Sequence, residues 1–326
     1  GFTGGAATFY RYCLPDAVGC TPDTWSALTS APASNGDGAS ITIPPGSEYA
    51  YVLRGSNTTT FWAYCLPGSS GCTGDTWTAL GSFPSAIGSG GSIAYGGTSG
   101  GGCSNGCLYI TRVGGNTDSY VYQISTAPSG SLVGIANAPD GLGSGARLTW
   151  DGSDYLYTVQ GESNNTDFYR YSISGNSWAA MDNAPEPMTC GGGACGGGVA
   201  YDPGTGDIWL VTATGLSGQI GDTFLAKMVG LLHRYNISDD EWIHYDNPTP
   251  TGLPNNANYR PSAMATFGDE DYLYYVNGNT APNEFRRYEI QDQAGSPDRT
   301  ELDPGPGAWT ALPDTPRPKN GPMLAA

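Results

Sequence analysis

The stretch TDFYRYSISGNSWAAMDNAP, residues 166–185, decides how this chain is read. It opens on an alternating aromatic run, passes through a turn, resumes at Trp178 and closes on Pro185. Alternation with a period of two is the pattern of a strand that buries one face, and Gly-Asn marks a tight turn. The same phrase returns as TFYRYCLP…DTWSALTSAP from Thr8 and TFWAYCLP…DTWTALGSFP from Thr60. It returns again as LLHRYNISDDEWIHYDNPTP from Leu231 and EFRRYEI…AWTALPDTP from Glu284. Recurrence at several tens of residues points to a repeat architecture, each copy burying its faces against its neighbours.

Extending the 166–185 copy backwards gives a four-strand unit. Strand a is GARLTW from Gly145, followed by a tight turn at Asp151–Asp154; strand b is YLYTVQG, ending at Gly161; strand c is FYRYSI and strand d SWAAM. Six copies can be traced through the strand c tyrosines Tyr12, Tyr64, Tyr122, Tyr171, Tyr235 and Tyr288. Strand d opens with Trp25, Trp77, Trp178, Trp242 and Trp309, and the third copy has Val133 or a neighbour instead. Strand b carries Tyr51, Tyr109, Tyr157, Trp209 and Tyr274. Strand a is poor in bulk (GASITI, GSIAY, GARLTW, GGVAY, SAMATF, GPMLAA), as suits strands crowding around a common axis. Such units predict a radial propeller. No helical stripe of useful length competes, the nearest being DTFLAKMVGLL at 222–232.

The order of small-residue strand, strand ending in Gly, Tyr-containing strand and Trp-opening strand resembles the kelch repeat of β-propellers, over essentially the whole chain. The double Gly of that family is mostly single here, at Gly55, Gly161, Gly215 and Gly278. The residue after the strand c Tyr is Cys, Gln, Ser, Asn or Glu where the family has an acid. The resemblance implies an all-β, six-bladed, kelch-like propeller of four-stranded antiparallel blades in one domain, 1–326. Blade 1 takes 1–35 plus 317–326; blades 2 to 6 take 36–86, 87–140, 141–187, 188–252 and 253–316. Blade 1 then has strands c and d from the N-terminal side and strand a from the C-terminal side, and lacks its own strand b. A sheet without an interior strand leaves unsatisfied edges. Either a segment upstream of Gly1 supplies the strand, the reading that needs no partner, or another chain donates it.

Fifty Gly and twenty-four Pro suit many short strands joined by turns. The net charge of −17, with only two Lys, repels phosphate backbones and anionic membranes, so no nucleic-acid partner is expected. No apolar run approaches a membrane span, and no signal peptide is visible. The eight cysteines form four close pairs, Cys13/Cys20, Cys65/Cys72, Cys103/Cys107 and Cys190/Cys195, the first two in near-identical loops. Local pairs of this kind read as disulfides and an oxidising, extracellular or cell-surface setting. A zinc site needs four converging ligands, and these pairs lie in different repeats. Sequons at Asn57, Asn164 and Asn236 make a glycoprotein reading available.

Aromatics at the same place in every unit read as packing between blades. Trp62 breaks the pattern and is the one candidate for an exposed stacking surface. Arg11, Arg170, Arg234 and Arg287 precede the strand c Tyr in four different units, so they cannot converge on one ligand. They are expected to stack on a strand d Trp or to make cross-strand ion pairs. His233 and His244 face each other across the turn at Asp239–Asp240; with no third ligand, they read as surface residues of outer strands. The acidic turns Asp151–Asp154, Asp202–Asp207 and Gly268–Asp271 read as hairpin chemistry rather than calcium loops. Neither a nucleophile elbow nor a phosphate loop is present, and no catalytic residue, metal or cofactor is assigned. On the face shared by b–c and d–a loops, the irregular insertion 215–230 with Ile220, Phe224, Leu225, Met228, Val229 and Leu231 is the candidate contact surface. The expectation is an exported, non-enzymatic propeller serving as a structural, adhesive or assembly module. It would accept a strand, with protein partners that include self, and would be capable of forming filaments. The alternatives are a carbohydrate-binding propeller and a carbohydrate-active enzyme.

Overall fold

The computed structural model describes residues 7–112, 117–161, 165–185, 190–220, 223–248, 263–266, 272–276, 285–290 and 309–316, short breaks aside. Within these, side chains at 190–197, 212–231, 243–248, 263 and 309 lie outside the description. The described residues form strands and turns only. No helix among them is long and apolar enough to cross a membrane.

The chain folds as an all-β propeller. Its second blade runs β3 (Ser40–Thr42), β4 (Tyr49–Leu53), β5 (Phe61–Cys65) and β6 (Thr76–Ala79), paired antiparallel in chain order. The third has β7 (Ser92–Tyr95), β8 (Cys107–Thr111), β9 (Ser119–Thr126) and β10 (Ser129–Ile135). The fourth has β11 (Leu148–Trp150), β12 (Tyr155–Val159), β13 (Phe168–Ser172) and β14 (Ser177–Ala180). A small hairpin, β15 (Cys190–Gly191) and β16 (Ala194–Cys195), precedes the fifth blade, which is β17 (Gly197–Asp202), β18 (Asp207–Ile220), β19 (Thr223–Asn236) and β20 (Glu241–Pro248). The sixth is β21 (Ala263–Thr266), β22 (Tyr272–Val276), β23 (Phe285–Glu289) and β24 (Trp309–Leu312). The first position holds only β1 (Phe9–Cys13) and β2 (Thr24–Leu28).

Among the described residues complete blades number five where six were expected. The first position differs because its described residues form only the c–d pair β1 and β2. The a strand expected from 317–326 lies outside the described residues. The ring nevertheless passes through the half-blade. Phe285 of β23 packs on Tyr12 at 4.7 Å and Trp25 at 5.3 Å, and Phe9 packs on Tyr64 at 4.9 Å and Trp77 at 5.3 Å.

These contacts explain the recurring phrase. The Phe that opens one strand c inserts between the Tyr of the next strand c and the Trp of the next strand d, as Phe168 does with Tyr235 at 4.9 Å and Trp242 at 5.1 Å. Strands b and c are thereby covered on both faces: Tyr51, Tyr64, Tyr157, Tyr171 and Tyr235 are essentially inaccessible. Register places each strand d Trp opposite its strand c Tyr, Tyr64 with Trp77 and Tyr171 with Trp178. In the third blade Leu132 takes that place opposite Tyr122, while Val133 is 42% exposed.

In the first, second, fourth and fifth blades a polar clasp accompanies the aromatic contact. Asp23, Asp75, Asn176 and Asp240 precede strand d in the left-handed conformation (φ 44–61°), which Asp and Asn tolerate best among residues with a side chain. Each accepts a hydrogen bond from the strand c tyrosine of its own blade, Tyr12, Tyr64, Tyr171 and Tyr235 in turn. Asp75 and Asn176 also accept the amides of Thr29 and Ala136 from the preceding blade, both at 2.8 Å. The indoles of Trp77 and Trp178 donate to the carbonyls of those same residues at 2.9 Å. Trp242 donates to the Asp182 carbonyl, and Trp25 donates to that of Pro313 at 3.0 Å, which closes the ring. On the inner side, Ile93, Leu148 and Tyr201 amides donate to hydroxyls of Ser40, Ser92 and Thr149 on the preceding inner strand.

Two substitutions test this account. Phe168→Ala vacates the Tyr235–Trp242 socket and is expected to cost about 3–5 kcal/mol, whereas Trp77→Phe keeps the ring, loses one hydrogen bond and costs about 1 kcal/mol. The Tyr64 hydroxyl, then the amide of Thr29, holds the Asp75 carboxyl below its usual range despite opposing desolvation. A depressed folded pKa stabilises fully above the ordinary carboxylate range and ceases to do so as pH falls through the folded value. Asp75→Asn, which keeps the acceptor, should flatten that acid limb of stability in urea melts at successive pH values.

Candidate binding groove

The half-blade leaves a groove on the inner side of β1. Its floor and one wall are Phe9, Tyr10, Arg11, Tyr12 and Leu14, with Trp25 and Leu28 behind them. The second blade lines it with Ile41, Ile43, Ala50, Leu66 and Pro67, and the sixth with Phe285. In the complete blades this is where strands b and a run. The groove is thus apolar, lined by strand, and bounded on both sides by finished blades.

How a finished blade fills that space is seen in the second. Tyr49–Leu53 pairs with Phe61–Cys65, setting Tyr51 opposite Ala63 and Tyr49 opposite Cys65. Glu48, immediately before the strand, reaches over the disulfide loop. Its carboxylate accepts the Ser70 amide at 2.7 Å and the Gly71 amide at 2.9 Å, and its carbonyl accepts the Leu66 amide at 2.9 Å. The Ser70 amide, then that of Gly71, depresses the Glu48 pKa. Asp154 does the same in the fourth blade, where its carboxylate accepts the Ser174 amide and its carbonyl that of Ile173, both at 2.8 Å.

The strand c arginines are partnered by strand b: the expected cross-strand ion pair is present at Arg234, but the rings they stack on are those of strand b and not the strand d Trp. Arg170 lies 4.3 Å over the Tyr155 ring and Arg287 4.5 Å over Tyr272. Arg234 sits over Trp209 and pairs with Asp207. The reason is register: strand b lies beside strand c on the inner side, and the ring under Arg170 and Arg287 is two residues from the paired position, while that under Arg234 is the paired Trp209 itself. Arg11 is exposed, and among the described residues no ring lies beneath it.

Other expected sites distribute around the ring. Disulfides join Cys13–Cys20, Cys65–Cys72 and Cys103–Cys107. Cys190 and Cys195 are cross-strand partners in backbone register, and their side chains lie outside the described residues. Trp62 is not an exposed platform; it is 4% exposed, wedged against Trp77 in the core shared with Phe9. His233 is directly opposite His244, as expected, but it is fully buried rather than on the surface, because strand c is flanked by β18 and β20 and covered by the aromatic layer. Among the described residues no group of three or more His, Cys, Asp or Glu is placed to hold a metal. Asp151 accepts the amides of Ser153 and Tyr155, and Asp202 those of Gly204 and Thr205, so both serve their turns. The turn 268–271 lies outside the described residues.

Asn57 is exposed at the b–c loop of the second blade. Asn236 is buried with its Oδ1 capping the turn at Ser238 and Asp239, and Asn164 lies outside the described residues. The expected irregular insertion is instead a continuous antiparallel hairpin. β18 and β19 stay in register from Ile208↔Tyr235 to Ile220↔Thr223, carrying the backbone of Phe224, Leu225, Met228, Val229 and Leu231. Around the axis, the inner strands enclose a cavity of about 400 Å³ with Tyr95, Trp150 and Tyr201 along its wall.

Sequence reasoning missed the latch. Its signal was available: an acid followed by Tyr-x-Tyr occurs at Glu48, Asp154 and Asp271. No known protein-family model matches this chain, and no curated protein matches it in sequence.

If Glu48 latches the 65–72 loop, Glu48→Ala should raise hydrogen exchange at Ser70 and Gly71 while leaving β8 and β12 protected. Opening the Cys65–Cys72 bridge by Cys→Ser substitution should lower stability by about 2–3 kcal/mol on the chain-entropy model.

Proposed function

We propose that this protein is an exported, non-enzymatic assembly module: a kelch-like propeller with six blade positions whose first blade is completed by an incoming strand. The observation that carries the reading is that, among the described residues, a two-stranded sheet is held in a ring of four-stranded ones. A β-propeller is by its nature a scaffold for interactions, and strand addition to an accessible sheet edge is an established mode of protein association. Three disulfides accord with an oxidising, extracellular setting. Charge of −17 favours dispersal over non-specific clumping, which leaves specific contacts to drive association. Strand donation joins unlike surfaces, so repeated donation between copies gives open, filamentous assemblies unless the rotation closes.

Saccharide binding is the second reading, favoured by one observation, the Tyr95, Trp150 and Tyr201 side chains on the wall of the axial cavity, with Tyr95 and Trp150 edge to face at 5.3 Å.

Electron microscopy of the natively isolated protein separates these readings. Filaments or rings that disperse when Phe9 and Tyr12 are both replaced by Ala, in a variant that still folds, support the assembly module. Isolated discs at all concentrations overturn it. Glycan binding that is lost in Trp150→Ala then supports the second reading.

A further inference from the structure

Resting on that strand-accepting reading, the structure assigns a chemistry to the incoming strand. We propose that the groove receives, from a second polypeptide, an extended segment of the form acid–Tyr–x–Tyr followed by apolar residues. The acid latches the Cys13–Cys20 loop and the first Tyr stacks on Arg11.

The argument is a comparison of the half-blade with its finished neighbour. Blades one and two share the loop frame CLPxxxGC, the strand c pattern ending Tyr-Cys, and the Asp-Thr-Trp that opens strand d. In blade two the loop is held by Glu48 through the Gly71 amide and by the Glu48 carbonyl through the Leu66 amide. The matching amides in blade one belong to Gly19 and Leu14, and no described residue supplies an acceptor to either. Arg11 repeats the theme. Its counterparts Arg170 and Arg287 each lie on the first Tyr of a Tyr-x-Tyr strand, in both cases with an acid just before it: Asp154-Tyr155-Leu156-Tyr157 and Asp271-Tyr272-Leu273-Tyr274. Arg11 has the same place on strand c and is exposed, with no such ring among the described residues. One strand of one pattern answers all three needs: an acceptor for two amides, a ring for one cation and apolar bulk between Ile41 and Phe285.

The 326 residues hold that pattern only at Glu48, Asp154 and Asp271, and each copy leads into a strand, β4, β12 or β22, already paired on both edges. No other segment of the sequence has an acid followed by Tyr-x-Tyr. None of these three is free to enter the groove of its own molecule, and a strand from a second polypeptide is the occupant the proposal commits to. A bare apolar groove would accept many strands; the cation and the two amides are what confer selectivity, because leaving either unmatched against a poor ligand forfeits affinity.

The test uses the chain of residues 1–326 and a fluorescein-labelled peptide with the sequence of residues 47–54, SEYAYVLR, read by anisotropy. The expected result is saturable binding, weakened about tenfold by Arg11→Ala in the protein, in line with loss of a cation–π contact and its charge. Glu→Ala at the second peptide position should weaken it comparably, and a scrambled peptide should not bind. Arg11→Lys should retain part of the affinity, and amide shifts in a labelled sample should centre on Leu14 and Gly19. Arg11 is exposed, so its variants should keep the parent melting curve, and that comparison guards against simple unfolding. Absence of saturable binding, or binding indifferent to Arg11 and to the peptide acid, overturns the proposal. The two readings fail separately. Filaments by microscopy with no peptide binding remove the strand chemistry and leave assembly standing; peptide binding by a protein seen only as isolated discs removes self-assembly and leaves the groove.

Discussion

The structure depends on how one blade grips the next. The two central strands of a blade are apolar on both faces, surface that water would penalise if the sheet stood alone. The Phe-into-Tyr/Trp socket removes that surface, and the Tyr–Asx–Trp clasp adds direction to a contact that apolar packing alone would leave free to slide. Asx turn residues are suited to both tasks. They accept the left-handed backbone that the c–d turn demands, and their side-chain oxygen lies where a tyrosine from the same blade and an amide from the previous blade both arrive. Trp then takes the carbonyl of that same previous residue, so Thr29 and Ala136 are each held through both amide and carbonyl. In the third blade, where Leu132 replaces Trp and the Tyr122 hydroxyl turns to the Pro128 carbonyl, the boundary with the second blade relies on the Phe61–Tyr122 contact instead.

Much of this could be read from the residues before any coordinates. A Tyr and a Trp spaced to be cross-strand partners, repeated with small-residue strands between, leave few architectures open. What escaped was whatever depends on the third dimension rather than on the strand's own period. Trp62 looked exposed because it departs from the repeat, yet strand c is covered on both faces and the departure is absorbed into packing. His233 looked peripheral because strand c is next to the rim, and is buried for the same reason. A cross-strand ion pair was legible and occurs at Arg234–Asp207, but the rings under the arginines were sought on strand d, although register puts those of strand b beneath them. The apolar run 223–232 looked irregular because it exceeds the repeat length; pairing with 208–220 extends the blade's own b–c hairpin and needs no separate structure.

The groove follows from the same grip. The half-blade keeps its position because the socket and the clasp act on strands c and d, the two it possesses. Phe285 fills the space between Tyr12 and Trp25, and Trp25 reaches Pro313, whether or not an inner strand is present. Rigidity at the rim is thereby separated from completeness near the axis. That separation permits a propeller to leave one sheet edge open without the ring springing apart.

If the half-blade accepts a strand as proposed, it differs from an exposed sheet edge in what binding costs. An edge on a free surface must order itself and its ligand together, whereas here the flanking blades already hold both walls and the disulfide loop already fixes the end of the site. The ordering cost falls mainly on the incoming segment, so fewer contacts are needed for a given affinity. The same walls impose register. An apolar strand shifted by one residue would turn its tyrosines away from Arg11 and its acid away from Gly19, and because the side-chain period is two, every other contact would reverse with it. A half-blade between finished blades is therefore suited to join molecules in one orientation and one register, the requirement for any assembly whose units must repeat.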